Sequence, residues 1–382
     1  MREKQLLMIP GPTPVPQSVL LAGARPMINH RGPEFAKALA DATEGLKRVF
    51  QTKHEAFILT GSGTGGLEAA IVNVLSPGDK VLSVSIGVFG DRFASIAKAF
   101  GVAVESLDFE WGTAADPEHV RARLAADAKK EIKAVLITHN ETSTGVTNDL
   151  AEIGPMVREH GALLLVDGIS SLVAMDCQTD AWCLDLVVAG SQKAFMIPPG
   201  LVFVAMNDRA WAAMDRATAP RFYWDLRKAK DYLERGQTPW TPAVPQVFQL
   251  QAALAILEEE GLQACFARHA RQAAAARAGV AALGLKLFAD AKSASNAVTA
   301  VRKPDGVEVA ALRKLLLQKY GVVLAGGQQH LRDEIFRIGH LGYVAESDII
   351  AALGALGLAL KELGMAVDPA AGAAAALKQL GG

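Results

Sequence analysis

Cysteine is scarce in this chain: three in 382 residues, Cys177, Cys183 and Cys265. The number is odd and the spacing fits no zinc pattern. That argues against a disulfide framework and a cysteine-based metal module, and a reducing compartment suits these thiols best. Net charge is scarce too. Lys and Arg number 39 against 40 Asp and Glu, a formal balance of −1, which argues against a nucleic-acid or other polyanion partner. Long apolar runs are lacking. The longest, "IIAALGALGLAL", is bounded by Asp348 and Lys361 and is too short to span a bilayer. The opening "MREKQLLMIPGP" has no apolar core of signal-peptide length. No internal repeat is evident. These absences together predict a soluble, cytoplasmic protein.

Apolar residues, by contrast, make up 51% of the chain, enough for a large core. They cluster in short runs at 56–60, 80–85, 133–138, 162–166, 185–189 and 201–206, separated by helical patterns such as "GGLEAAIVNVL" and "LAEIGPMVREHG". The runs are apolar throughout rather than alternating, as in strands covered on both faces. Strand–helix alternation predicts an α/β fold with a mainly parallel sheet flanked by helices. Ligands of such sheets bind beyond the carboxyl ends of the strands. After about Pro245 the pattern shifts to alanine- and leucine-rich helices. Short strands follow near "NAVTAV", "GVVLAG" and "IFRIGH", then a last helix from Glu346. The expected division is an N-terminal arm (1–18), a large domain (19–258) and a smaller C-terminal α+β domain (259–382). The proline-rich "MIPGPTPVPQSV" is expected to be an extended arm without regular structure. The tail "DPAAGAAAALKQLGG" is expected to fray.

Three strand ends carry candidate chemistry. "GSGTGG" (61–66) fits G-x-G-x-x-G before a helix, where free amides hold a phosphate. A dinucleotide site would also need an acid ending the next strand, and that strand ends Ser85-Ile86-Gly87. Asp167 directly follows "LLLV"; it either caps nearby amides or balances a buried cation. Lys193, in "VVAGSQKAFMIPPG", is either a solvated lysine or an amine made neutral by burial. An unperturbed lysine is neutral in only roughly one part in 2,500 at pH 7. Together, a phosphate cradle, an acid and an amine at one sheet edge are what pyridoxal 5′-phosphate requires. Its phosphate takes the helix N-terminus, its ring nitrogen the carboxylate, and its aldehyde the amine.

On the motifs "PGPTPVP", "GSGTGGLEAAIVNVLSPGD", "THNETSTGV", "LLVDGISS", "GSQKAFMIPPG", "TPWTPAV" and "FRIGHLG", the chain resembles the class V aminotransferases of fold type I. The resemblance runs to about Gly364, in the branch of alanine–glyoxylate and serine–glyoxylate aminotransferases. It implies a pyridoxal-phosphate transaminase (EC 2.6.1 type) that moves an amino group from a small amino acid to a 2-oxo acid, with glyoxylate favoured. The donor stays open among alanine, serine, aspartate and ureidoglycine. By the same resemblance Lys193 forms the Schiff base and Asp167 pairs with the pyridinium. Ser62, Gly63, Thr64 and Gln192 hold the phosphate. Phe89 and Ile169 lie on opposite faces of the ring, and Thr142 bonds its phenolic oxygen. Arg337 clamps the substrate α-carboxylate through paired charge-assisted bonds. Thr238 and Thr241 reach the neighbouring subunit's phosphate, which implies a homodimer with shared sites. Thr64 and Phe89 stand where some members have histidine or tryptophan. No metal is implied, and His30 and His139 are given no chemistry. The rival readings are a dinucleotide-binding protein and a lyase of the desulfurase type. The lyase needs a mobile cysteine in the second domain, and past residue 245 there is only Cys265, inside a helical pattern.

Overall fold

The computed structural model describes residues 5–381. In chain order the strands are β1 (Leu6–Met8), β2 (Glu55–Thr60), β3 (Lys80–Ser85), β4 (Ala103–Asp108), β5 (Ile132–Thr138), β6 (Asn140–Glu141), β7 (Val146–Thr147), β8 (Leu163–Asp167), β9 (Leu186–Gly190), β10 (Leu201–Met206), β11 (Val298–Arg302), β12 (Val322–Gly326) and β13 (Ile335–Gly339). A 7-stranded sheet has the order β2-β10-β9-β8-β5-β3-β4, and β10 alone runs against the rest. Its central strands β8, β9 and β10 are buried at every position. Helices cover both faces, and two apolar clusters fill the spaces between. This is the mainly parallel α/β sheet that the unbroken apolar runs predict.

One strand escaped that reading. β4, "AVESLD", lies at the sheet edge and is partly open to solvent. An edge strand needs no apolar run and is better protected from stray pairing without one.

A second, 4-stranded sheet has the order β1-β12-β13-β11 and packs against the helices Leu262–Ala282 and Glu346–Glu362. It corrects two expectations. The proline-rich N-terminal segment is not irregular throughout. Met8 closes β1, which pairs in parallel with β12, and Gln17 opens the helix Gln17–Ala22. Only the stretch between them, where the prolines crowd, lacks regular structure. The alanine-rich tail does not read as a fraying end either. It forms the helix Ala371–Gly381 against Leu262–Ala282, and Ala376 is fully buried. The small residues are what allow this approach: a methyl group added to Gly279 would lie 2.8 Å from the carbonyl oxygen of Gly372.

Leu165, in the middle of β8, has no exposed surface and packs with Leu136 and Leu186. Leu165→Ala is expected to destabilise the protein by about 2–5 kcal/mol, read as a lowered denaturation midpoint in urea.

Candidate active site

The carboxyl ends of β2, β5, β8 and β9 open on one cavity of about 130 Å³. β2 delivers the turn into the helix Gly63–Val74. β5 delivers the loop that holds Asn140 and Thr142, β8 ends on Asp167, and β9 runs into Gln192 and Lys193. Ser62, Gly63, Thr64, Phe89, Thr142, Asp167, Ile169, Gln192 and Lys193 all line this space. Residues spread over more than a hundred positions of sequence meet there because parallel strands end on the same side.

The glycine loop has two physical reasons to be glycine. The first is the helix start. Gly66 makes the first bond of the turn, to the Ser62 carbonyl at 3.2 Å, which leaves the amides of Gly63, Thr64 and Gly65 free of intrahelical partners. Ser62 makes no side-chain cap, so its hydroxyl stays available beside those amides. The second reason is packing. A methyl group at Gly63 would fall 2.4 Å from Ile169 Cδ1, and one at Gly61 or Gly65 would strike the Trp224 ring at 2.6 or 2.5 Å.

Lys193 is half-buried as a residue, but its ammonium lies deep. Burial lowers its pKa from 10.5 to about 8, helped by the Arg337 and Arg92 cations and opposed by Asp167. Its Nζ donates to the Pro10 carbonyl. The chain can cross so closely because residue 11 is glycine: its φ is +130°, and a methyl group there would lie 2.7 Å from Nζ. Thr13 holds the lysine backbone. Its hydroxyl donates to the Lys193 carbonyl at 2.8 Å and its amide to the Gln192 carbonyl at 3.0 Å. Asp167 is 4% exposed. Burial, followed by the neighbouring Glu141 charge, raises its pKa to about 7, against the Ile169 amide bond at 3.0 Å. Desolvation therefore brings an acid and a base, ordinarily far apart in pKa, close to neutrality from opposite sides.

Arg337, on β13, is buried. Its Nε donates to the Gly326 carbonyl and its Nη1 to the Thr142 carbonyl, both at 2.8 Å, with a long 3.4 Å contact from Nη1 to Gln328. Nη2 has no hydrogen-bond partner among the described residues. Burial lowers the Arg337 pKa to about 10. Thr142 thus faces two ways: its side chain lines the cavity and its carbonyl anchors the arginine.

Thr238 and Thr241 are not brought to this cavity. They line a separate cleft with Thr60, Tyr223 and Trp240. Neither caps the following helix, whose N-cap Ala243 receives no side-chain bond, and the Thr238 hydroxyl donates instead to the Trp240 carbonyl at 2.7 Å. Cys265 is buried in Leu262–Ala282, its thiol pushed up to about 12 by burial and by Glu260. His139 is held neutral by burial, at about 4, with its ring edge on Trp182.

Five residues of the site went unassigned in the sequence. Arg92 lines the cavity, with its guanidinium 4.7 Å from the centre of the Phe89 ring. Asn140 and Ser170 line it as a bonded pair at 2.9 Å. Pro10 and Thr13 grip the lysine. "GVFGDR" places Arg92 almost one helical turn after Phe89, a spacing that puts both on one face. The others act through backbone atoms, small hydroxyls or, at Asn140, a side-chain amide, and leave no mark that a sequence pattern can carry.

The residues fit pyridoxal 5′-phosphate. Unsatisfied helix amides lie beside a hydroxyl, the buried Gln192 Oε1 has no hydrogen-bond partner, and one cavity is lined by both a buried acid and a buried amine. The comparisons with known proteins agree. The family model "Aminotransferase class-V" matches residues 9–340. The "Soluble hydrogenase 42 kDa subunit" of Anabaena cylindrica is 47% identical over 95% of this chain and 95% of its own. The L-aspartate–glyoxylate aminotransferase of Paracoccus denitrificans is 37% identical over 98% of this chain and 96% of its own. The solved structure of ureidoglycine–glyoxylate aminotransferase from Bacillus subtilis matches with a TM-score of 0.94 at 30% identity, covering 100% of this chain and 99% of that one.

The two displaced pKa values fix how the cofactor-free protein responds to pH. Asp167 titrates near 7 when folded against an ordinary 3.8. The folded state therefore holds the extra proton between those values, and stability from this group is lost as pH rises from about 4 to 7. Lys193 titrates near 8 against 10.5. The unfolded state holds the extra proton there, so stability is regained as pH rises from about 8 to 10.5. Asp167→Asn is expected to remove the first effect. Its melting temperature relative to wild type should rise between pH 5 and pH 8, as measured on cofactor-free samples by thermal denaturation.

Proposed function

The chain belongs to the class V aminotransferases, which are pyridoxal-5′-phosphate enzymes, and from that premise we propose that it moves the amino group of a small amino acid to glyoxylate. The observation that carries the chemistry is the pairing of Asp167 and Lys193 in one buried cavity headed by a helix N-terminus. When bound, the cofactor supplies an aldehyde that condenses with amines and a ring that accepts an electron pair from the substrate Cα. The acceptor is carried over from two relatives named as glyoxylate aminotransferases. The hydrogenase name describes the Anabaena protein and gives these residues no other role.

In this reading the amides of Gly63 and Thr64, the hydroxyls of Ser62 and Thr64, and the Gln192 amide hold the phosphate. The Asp167 carboxylate faces the ring nitrogen and keeps it protonated. Phe89 and Ile169 pack on the two ring faces, and the Thr142 hydroxyl meets the phenolic oxygen. Lys193, with a pKa of about 8, supplies a neutral amine in a useful fraction at neutral pH. It would take the proton from the substrate Cα and give it up at the former aldehyde carbon of the cofactor rather than back at Cα. Arg337 receives the carboxylate: Nη2 is open, and the 3.4 Å Gln328 contact is the weak one to release so that Nη1 and Nη2 bind together.

Thr238 and Thr241 line a cleft other than this chain's cavity, which supports their assignment to a partner's phosphate in a homodimer. Phe222 and Tyr223, 68% and 45% exposed beside the same cleft, support a covered surface there. No helix among the described residues is long and apolar enough to cross a membrane, and three free thiols support the cytoplasm as the compartment.

Lys193→Ala is expected to abolish both the visible absorption of bound cofactor and turnover, a rate loss of at least about 10²–10⁴-fold. An unaffected rate would refute the assignment. Single-turnover assays of alanine, serine, aspartate and ureidoglycine identify the donor. Against pyruvate, which carries one additional methyl group, glyoxylate should be preferred by about tenfold or more in kcat/KM; a preference for pyruvate would sink the choice of acceptor.

A further inference from the structure

Glu141 has no exposed surface and takes no ion pair within 4.0 Å among the described residues, yet none of the roles above uses it. Its Oε2 accepts the amides of Phe89 and Gly90, at 2.9 and 3.1 Å. Its Oε1 accepts the amide and hydroxyl of Ser143, at 3.1 and 2.6 Å. The Ser143 oxygen meanwhile accepts the Val88 amide at 3.0 Å, so its hydrogen points at Glu141. Burial, the larger effect, holds the Glu141 pKa above the usual carboxylate value, and these bonds pull it down. The geometry favours the anion: three of the four donors are amides that can only donate, and the Val88 amide already occupies the Ser143 oxygen.

The anion caps a distant helix. Val88–Ala99 begins at Gly87, which offers no side chain of its own. A methyl group at Gly87 would lie 2.5 Å from both Glu141 Cγ and Ser143 Oγ, so the glycine makes room for the visiting carboxylate. Negative charge at a helix N-terminus is favourable. The first residues of that helix include Phe89 and Arg92, both on the cavity wall. On the other side Glu141 is joined by one peptide bond to Thr142, whose carbonyl holds Arg337. One buried carboxylate therefore ties the ring-facing helix to the segment that carries both the Thr142 hydroxyl and the arginine anchor.

We propose that Glu141 is a positioning residue for transamination, fixing Phe89 and the Thr142–Arg337 pair at one spacing so that cofactor ring and substrate carboxylate are gripped together. This rests on the functional reading above. Glu141→Gln keeps the shape but turns an NH₂ group toward two of the four donors. Three measurements test it: pyridoxal 5′-phosphate affinity by fluorescence titration of the cofactor-free protein, KM and kcat for the donor amino acid, and melting temperature without cofactor.

Lost charged hydrogen bonds are expected to weaken cofactor binding by about 10–100-fold and to raise the donor KM more than they lower kcat. Glu141→Asp should recover part of both losses. Ser143→Ala, which removes one of the four donors, should shift both constants in the same direction by less, and it decides the matter if Glu141→Gln does not fold. Variants that melt lower yet keep wild-type affinity and KM would overturn the positioning role. Wild-type protein that takes up no cofactor would overturn the functional reading, and this inference with it.

Discussion

The site is organised around two groups whose charged forms water favours and the fold makes costly. An ammonium and a carboxylate placed in a low-dielectric cavity each cost several kcal/mol unless they find partners. Lys193 and Asp167 lie at the ends of neighbouring parallel strands, where the buried sheet centre supplies the desolvation and their mutual attraction offsets part of it. Much else near them manages this cost. The Ile169 amide supports Asp167 and the Pro10 carbonyl receives the ammonium. The helix amides by Ser62 wait for an anion. The pair destabilises the empty protein and favours whatever brings a phosphate, a pyridine nitrogen and an aldehyde together.

Two layers build this arrangement. The strands β5, β8 and β9 set the floor, and their buried side chains tolerate little movement. Loops and helix starts then place individual atoms, and glycine recurs wherever backbone must approach a side chain: Gly11 over Lys193, Gly63 under Ile169, Gly87 against Glu141. The hydrogen bonds that span the layers are mostly to backbone carbonyls, as with Thr13 to Lys193 and Arg337 to Thr142. Such contacts hold position without fixing side-chain identity at the accepting residue.

The central strands were legible because burial on both faces demands an unbroken apolar run. β4 was not, because a half-exposed edge has no such demand. Lys193, Asp167 and the glycine turn were legible as polar residues that break apolar runs, where a charge without purpose would be expensive. Phe89, Ile169 and Thr142 could be assigned only through the family resemblance, since an aromatic, an isoleucine or a threonine near a turn has many ordinary reasons to be there. Glu141 lies in "NETSTG" without a local sign of its role. Its importance lies in bonds to amides some fifty positions away, and no local pattern encodes those. Thr238 and Thr241 show the remaining limit: they border another cleft, a placement that no local pattern in "TPWTPAV" announces.

The pairing of β1 with β12 bears on how the protein is made. Leu6 lies beside Val322, so the first strand to leave the ribosome waits for almost the last. Every strand of the large sheet is synthesised by Met206, well before β12. β1 itself gains its partner only when the C-terminal third arrives. The segment that crosses Lys193 is therefore strung between two sheets, joined to the second through β1 and to the first through the Thr13 bonds.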